Sequence, residues 1–296
     1  MKNPKMKAVF FAISAAVFYA VNMPCSKTLL NHVSSTMMAG LLYCGAGIGI
    51  GIIFILNSSE TNKNNLLSKS DIPYVIGMIV LDILAPIFLM YGLLHTTSAN
   101  ASLLNNFEIV ATTIIASLIF KESVSHKLLI AIVLITISSA ILSFEDISCL
   151  KFSWSSAFIL LATICWGFEN NCTRKISDKN TYQIVTLKGI CSGLGSLIIA
   201  AIIGERLPHL KYIFLVLLLG FIAYGLSIFF YIKAQNVLGA AKTSAYYAIA
   251  PFVGSVLSFV FLKEKLSFQY FIALLFMIAG SIFATADTLV TKAKES

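Results

Sequence analysis

Apolar residues run through this chain in long, nearly unbroken stretches, separated by short polar gaps. A helix crossing a hydrocarbon core needs about 20 such residues. The pattern predicts helical spans at residues 8–28, 36–56, 72–93, 98–120, 126–144, 154–173, 181–203, 211–236, 240–262 and 267–288. Strands of a membrane barrel would be about ten residues of strict apolar–polar alternation, and these runs are too long and too evenly apolar for that. The gaps are too short to hold a soluble domain.

Two of the runs drive into polar patches at similar depth. Residues 162–176 read ATICWGFENNCTRKI, and residues 15–28 read AAVFYAVNMPCSKT. Aligned at an offset of 147, Tyr19-Ala20 pairs with Trp166-Gly167, Cys25-Ser26-Lys27 with Cys172-Thr173-Arg174, and Cys44 with Cys191. At an offset of 142, Phe120-Lys121-Glu122 and Ser125 match Leu262-Lys263-Glu264 and Ser267. The chain therefore divides into repeats at 1–148 and 149–296, each with five spans. Five is odd, so the second repeat lies upside down relative to the first. The predicted fold is all-α and integral to the membrane: ten transmembrane helices, as two inverted five-helix repeats around a central cavity. Inverted repeats of this kind belong to transporters that alternate access around a site near the midplane.

Composition agrees with a lipid solvent. Of 296 residues, 58% are apolar and 11% charged, against about 25% charged in a soluble domain, and mean hydropathy is +0.89. The net charge of +8 is spread singly over the gaps, which argues against a nucleic-acid face and for the positive-inside rule. Of the 21 basic residues, fourteen fall on the side of the N-terminus. Six (Lys27, Lys151, Arg206, Lys211, Lys263 and Lys265) fall on the other side, and Lys188 lies within a span. A multi-pass cell-membrane protein with both termini cytoplasmic is expected. Residues 1–21 could pass for a signal peptide, but their echo near residue 162 argues for a retained helix. The six cysteines show no CxxC spacing, and the four histidines no metal-ligand spacing. Both read as packing and surface residues, and no metal site is predicted.

Charge inside the spans is the anomaly. An ionised side chain near the bilayer centre costs roughly 2.5–3.5 kcal/mol on insertion scales, so Asp82, Glu108, Glu169 and Lys188 each need a partner or a wet cavity. They are site candidates; a structural ion pair between helices is the other reading. Helical spacing puts Trp166, Glu169, Asn170 and Thr173 on one face, and Ala101, Asn105 and Glu108 on another. Thr243, Tyr246, Tyr247 and Ala250 make a third stripe. Pro24, Pro86 and Pro251 are expected to break spans, as kinks or as half-helix ends beside a site. Gly45, Gly47, Gly49 and Gly51, with Gly189 and Gly193, predict close helix contact. No P-loop, HExxH, GxSxG or paired acid–His arrangement appears, so neither ATP, a cofactor nor enzymatic chemistry is predicted.

WGFENNCTRKIS at 166–177, LKGICSGLGSL at 187–197, SANASLLNNFEIVATTIIASLIFKE at 98–122 and YGLSIFFYIKAQNVLGAAKTSAYYAIAPFVGSVLSFVFLKE at 224–264, with the five-plus-five layout, resemble the EamA-type branch of the drug/metabolite transporter superfamily over nearly the whole chain. The resemblance implies export of small metabolites or amino acids without ATP, from a cavity lined by both halves. By position, Trp166, Glu169, Asn170 and Arg174 match the family's sixth-helix pattern, where Asp is commoner than Glu at 169. Lys188 matches its seventh-helix Lys-Gly, Glu108 its fourth-helix Glu, and Tyr246, Tyr247 and Pro251 its ninth helix. Leu41, Leu42 and Tyr43 depart from a second-helix Arg, and Asp82 replaces a Gly or apolar residue.

The expected function is a secondary transporter of small metabolites such as amino acids, working by alternating access. The expected substrate site is Asn22, Asn105, Glu108, Trp166, Glu169, Asn170, Lys188, Tyr246 and Tyr247. Asp82, Glu108 and Glu169 are the proton-coupling candidates. The expected partners are a small-molecule substrate and membrane lipid, with no nucleic acid, and the chain acts as monomer or homodimer. A channel or structural subunit is the rival reading, and an integral-membrane enzyme a more distant one.

Overall fold

The computed structural model of the chain describes residues 4–56, 65–120, 124–146, 151–238, 243 and 246–290. Ten apolar segments appear among them, close to the predicted spans, and seven are long and apolar enough to cross a bilayer. Span one is α1 (Pro4–Ala20) with α2 (Asn22–Leu29), span two α3 (Ser35–Leu56) and span three α4 (Ile72–Leu94). Span four is α5 (Ser98–Leu104) with α6 (Phe107–Phe120), span five α7 (His126–Ser143), span six α8 (Trp154–Lys175) and span seven α9 (Thr181–Ile202). Span eight is α10 (Leu210–Gly220) and α11 (Ser227–Leu238), joined by a π-helical turn over Phe221–Leu226. Spans nine and ten carry α12 (Ala250–Leu262) and α13 (Phe268–Val290). The halves meet at a two-stranded antiparallel ribbon, Phe144–Asp146 with Lys151–Phe152, an addition to the all-helical expectation. Cys149, Lys121, Glu122 and the basic residues at 2, 63, 242, 292 and 294 lie outside the described residues.

The prolines act differently from one another. Pro24 is the third residue of α2 and the interruption sits upstream at Val21, because a proline frees the carbonyl four residues before it. Pro86 was expected to break span three, yet α4 runs continuously through it, packed against α8 and α9, where neighbouring helices make an internal proline tolerable. Pro251 is the second residue of α12, where its missing N–H costs nothing. Span four breaks without proline. Asn106 N, Glu108 N and Ile109 N bond to the carbonyls of Leu103, Asn105 and Asn106 at 3.0, 3.1 and 3.1 Å, a tightened i→i−3 turn that re-aims the residues around it.

Packing follows the repeat. Span two packs on seven, four on nine and five on ten; three packs on six as eight packs on one, and four packs on six as nine packs on one. Every one of these pairings maps onto itself or another when span n is exchanged with span n+5, the signature of a pseudo-twofold axis. The exchange extends to single caps: Ser125 Oγ accepts from Leu128 N at 3.2 Å, and its repeat partner Ser267 accepts from Tyr270 N at 3.1 Å. Where α3 crosses α9, a Cβ on Gly189 would stand 2.5 Å from Gly47 Cα, so the glycines permit this contact as the GxxxG spacing predicts. Outward faces such as Ile48, Ile52 and Ile55 on α3, and Leu275, Ile278 and Ile282 on α13, are exposed apolar stripes. Only lipid makes such a surface tolerable.

Candidate functional site

A cavity of about 410 Å³ opens among helices of both halves. Its deep end is formed by Tyr43, Trp166, Glu169 and Lys188, and its mouth by Val124, Leu128 and Arg174. Those mouth residues belong to the start of span five and the end of span six, both on the side of the N-terminus. The volume falls in the range that encloses a small metabolite.

Lys188 organises the deep end. Its Nζ lies 2.8 Å from Glu169 Oε1 and 3.0 Å from Asp82 Oδ2, with all three side chains almost fully buried. Asp82 Oδ1 accepts from Tyr43 OH at 2.7 Å, and Tyr43 OH in turn accepts from Trp166 Nε1 at 3.4 Å. Thr173 donates its hydroxyl to Glu169 Oε1 from one turn along α8. The ammonium thus sits between carboxylates from opposite halves, and hydrogen bonds occupy much of what remains, as a buried charge cluster requires.

A second polar group forms the side wall. Asn170 Nδ2 donates to Glu108 Oε1 at 2.6 Å and approaches Thr112 Oγ1 at 3.4 Å. Asn171 Nδ2 donates to the carbonyls of Thr112 and Gly167 at 3.2 and 2.8 Å. Gly167 lets α8 meet α6, since a Cβ there would fall 2.7 Å from that of Ala111. Opposite stands a tyrosine cluster. The Tyr19 ring centroid is 5.9 Å from those of Tyr224 and Tyr247, and Tyr231 stands edge-on to Tyr247 at 5.1 Å.

Of the predicted site residues, Asn105, Glu108, Trp166, Glu169, Asn170, Lys188 and Tyr247 line this one cavity. Asp82 stands behind Lys188 and reaches the cavity through it. Asn22 is fully buried off the cavity surface and donates to Tyr224 OH at 3.2 Å, positioning that ring. Tyr246 turns away and packs with Ala8, Ala12 and Ala234, and the ninth span lines the cavity with Tyr247, Ala248, Ala250 and Pro251. Sequence reasoning missed the eighth span. Tyr224, Ser227, Ile228 and Tyr231 all line the cavity, and their i, i+3, i+4, i+7 spacing was a readable stripe. Tyr43 gave no such signal, because its helix is otherwise apolar and glycine-rich.

At the far end the two halves are tied together by helix caps. Glu264 accepts from Ser98 N and Ala99 N at 2.7 and 2.9 Å, and Glu205 accepts from Met37 N at 2.7 Å, Thr36 N at 3.2 Å and Ser34 Oγ at 2.8 Å. Each carboxylate from one half thereby caps a helix N-terminus of the other, where its charge is favoured. Lys27 Nζ caps the opposite pole of α4, 2.7 and 3.0 Å from the Leu93 and Leu94 carbonyls. Among the described residues, no three His, Cys, Asp or Glu side chains come together as metal ligands.

Known proteins agree with this architecture. An uncharacterized transporter of Methanothermobacter thermautotrophicus is 23% identical over 292 residues, 90% of this chain and 83% of its own. The uncharacterized transporter YyaM of Bacillus subtilis is 25% identical over 220 residues, 70% of this chain and 71% of its own. One crystal structure, 14% identical in sequence, shares the fold with a TM-score of 0.69, covering 95% of this chain and 96% of that one. Residues 6–144 and 153–286 each match the family model of the EamA-like transporter family. With both halves matched, the chain belongs to the EamA-like transporter family, and through it to the drug/metabolite transporter superfamily.

Proposed function

We propose that this transporter is a secondary exporter of a small polar or amphipathic metabolite, such as an amino acid, carried by alternating access across the cell membrane with both termini cytoplasmic. The observation that carries this reading is the buried Lys188 cluster, with Asp82 from the first half and Glu169 from the second, at the deep end of a cavity built by both halves. A charge cluster shared across the pseudo-twofold axis gives the two halves a common point about which to rock. Glu108, Glu169, Asn105 and Asn170 bind the polar end of the substrate, while Trp166 and Tyr247 pack on its apolar part. Asn22 acts through the Tyr224 ring. Asp82, Glu108 and Glu169 offer places for a coupled proton. The cavity mouth on the N-terminal side and the capped far end correspond to a cytoplasm-facing state.

Counterflow in proteoliposomes tests this. Loading with pooled amino acids, nucleosides and sugar phosphates, with and without a pH gradient, should give uptake of one class. No uptake of any class by folded protein, together with single-channel currents, would replace the transporter reading by a channel.

A further inference from the structure

Glu108 presents a half-buried carboxyl to the cavity with no cation of its own. Among the described residues it pairs with no basic side chain, and its hydrogen bond is to Asn170. One turn earlier, Asn105 is 4% exposed and donates through Nδ2 to Tyr19 OH at 3.2 Å, while its Oδ1 has no partner. A buried acceptor without a donor is costly unless something brings one. Both side chains line the cavity together with Tyr19, Tyr224 and Tyr247.

Among the described residues the deep interior offers no corresponding place for an anion. Lys188 is committed to Asp82 and Glu169, so its charge is already met by two carboxylates, and Glu108 in the side wall is a third acid without a cation. The other lining cation, Arg174, belongs to the last turn of α8, at the mouth. What the cavity wall leaves without a matching donor or cation is the Asn105 Oδ1 acceptor and the Glu108 carboxyl, beside a group of tyrosine rings. That combination suits a positively charged group with N–H donors.

We propose that the cavity recognises its substrate by a primary ammonium group, held by Glu108 and Asn105 Oδ1 against the Tyr19, Tyr224 and Tyr247 rings, with no requirement for a carboxylate. The inference rests on the transporter reading above and names its substrate class: primary amines and amino-bearing metabolites. Phosphates, carboxylic acids and neutral sugars are excluded from it. A quaternary ammonium would meet the rings but has no N–H for Asn105.

Ligand-dependent thermal unfolding of the purified full chain in detergent tests this with four probes sharing one side chain: phenethylamine, phenylalanine, phenylpropionate and phenethyltrimethylammonium. At millimolar concentration the first two should raise the unfolding temperature, phenylpropionate should not, and the trimethyl compound should bind roughly tenfold more weakly than the amine. Glu108→Gln and Asn105→Leu should each weaken the amine by roughly tenfold or more. If Glu108→Gln does not fold, Asn105→Leu and Glu108→Asp carry the comparison. Stabilisation by phenylpropionate equal to that by the amine, no response to either amino-bearing probe, or an undiminished response in the variants would overturn the proposal. Counterflow separates it from the transporter reading. Flux of an anion would overturn the ammonium assignment alone, whereas selective amine binding without flux would overturn transport alone.

Discussion

Asp82 Oδ2 and Lys188 Nζ meet at 3.0 Å although they come from opposite halves of the chain. A buried ion pair contributes little net stability, but removing one partner strands the other. Lys188→Met should therefore be strongly destabilising, on the order of 3–5 kcal/mol, because it leaves Asp82 and Glu169 facing each other. Adding Asp82→Asn and Glu169→Gln to the same variant should recover most of that loss. Thermal unfolding in detergent reads both steps, and a triple variant no more stable than the single one would show that the cluster's charges are not what matters.

Glu169→Gln alone should behave differently. Lys188 keeps Asp82 as counter-ion, and the amide can still accept from Thr173. The fold should persist with near-normal expression, while transport should fall to the level of empty liposomes or lose its response to a pH gradient. Wild-type counterflow by this variant would remove Glu169 from the transport site.

The α3–α9 crossing gives a test of packing. A Cβ at Gly189 would lie 2.5 Å from Gly47 Cα, backbone that cannot yield, whereas one at Gly51 would meet the Thr186 Cγ2 at 3.3 Å. Gly189→Ala should cost about 1–3 kcal/mol through forced separation of the helices, and Gly51→Ala should be nearly neutral. Equal unfolding temperatures for the two variants would contradict the close-contact reading.

These contrasts show where sequence pattern carries information and where it stops. Span positions and the repeat were legible because lipid imposes one length and one polarity on every helix, and duplication leaves matched residues such as Ser125 and Ser267. The carboxylates and Lys188 announced themselves by their cost in lipid. Which of two adjacent tyrosines faces the cavity was not legible: Tyr246 and Tyr247 differ by about 100° around the helix, and the chain before them offers no unbroken periodicity from which to set the phase. Asn105 and Glu108 share a cavity wall through a tightened turn between α5 and α6, a local geometry that regular helical spacing reproduces only by approximation. Pro86 shows the reverse, a local signal overruled by neighbours.

The last prediction concerns the capped far end. Glu264 binds the N-terminus of α5 and Glu205 that of α3, so opening that end in an alternating-access cycle must part both caps. Losing one cap costs about 1 kcal/mol, which corresponds to roughly a fivefold shift in an open–closed ratio. Ser258 is fully buried there, its hydroxyl 2.7 Å from that of Ser98. In a background lacking the native cysteines, a thiol introduced by Ser258→Cys should react slowly with an impermeant maleimide from the far side of the membrane. Glu264→Ala should speed that reaction several-fold, and Glu205→Ala should add to it. Rates unchanged by either substitution would mean that the caps stabilise their helices without holding the exit shut.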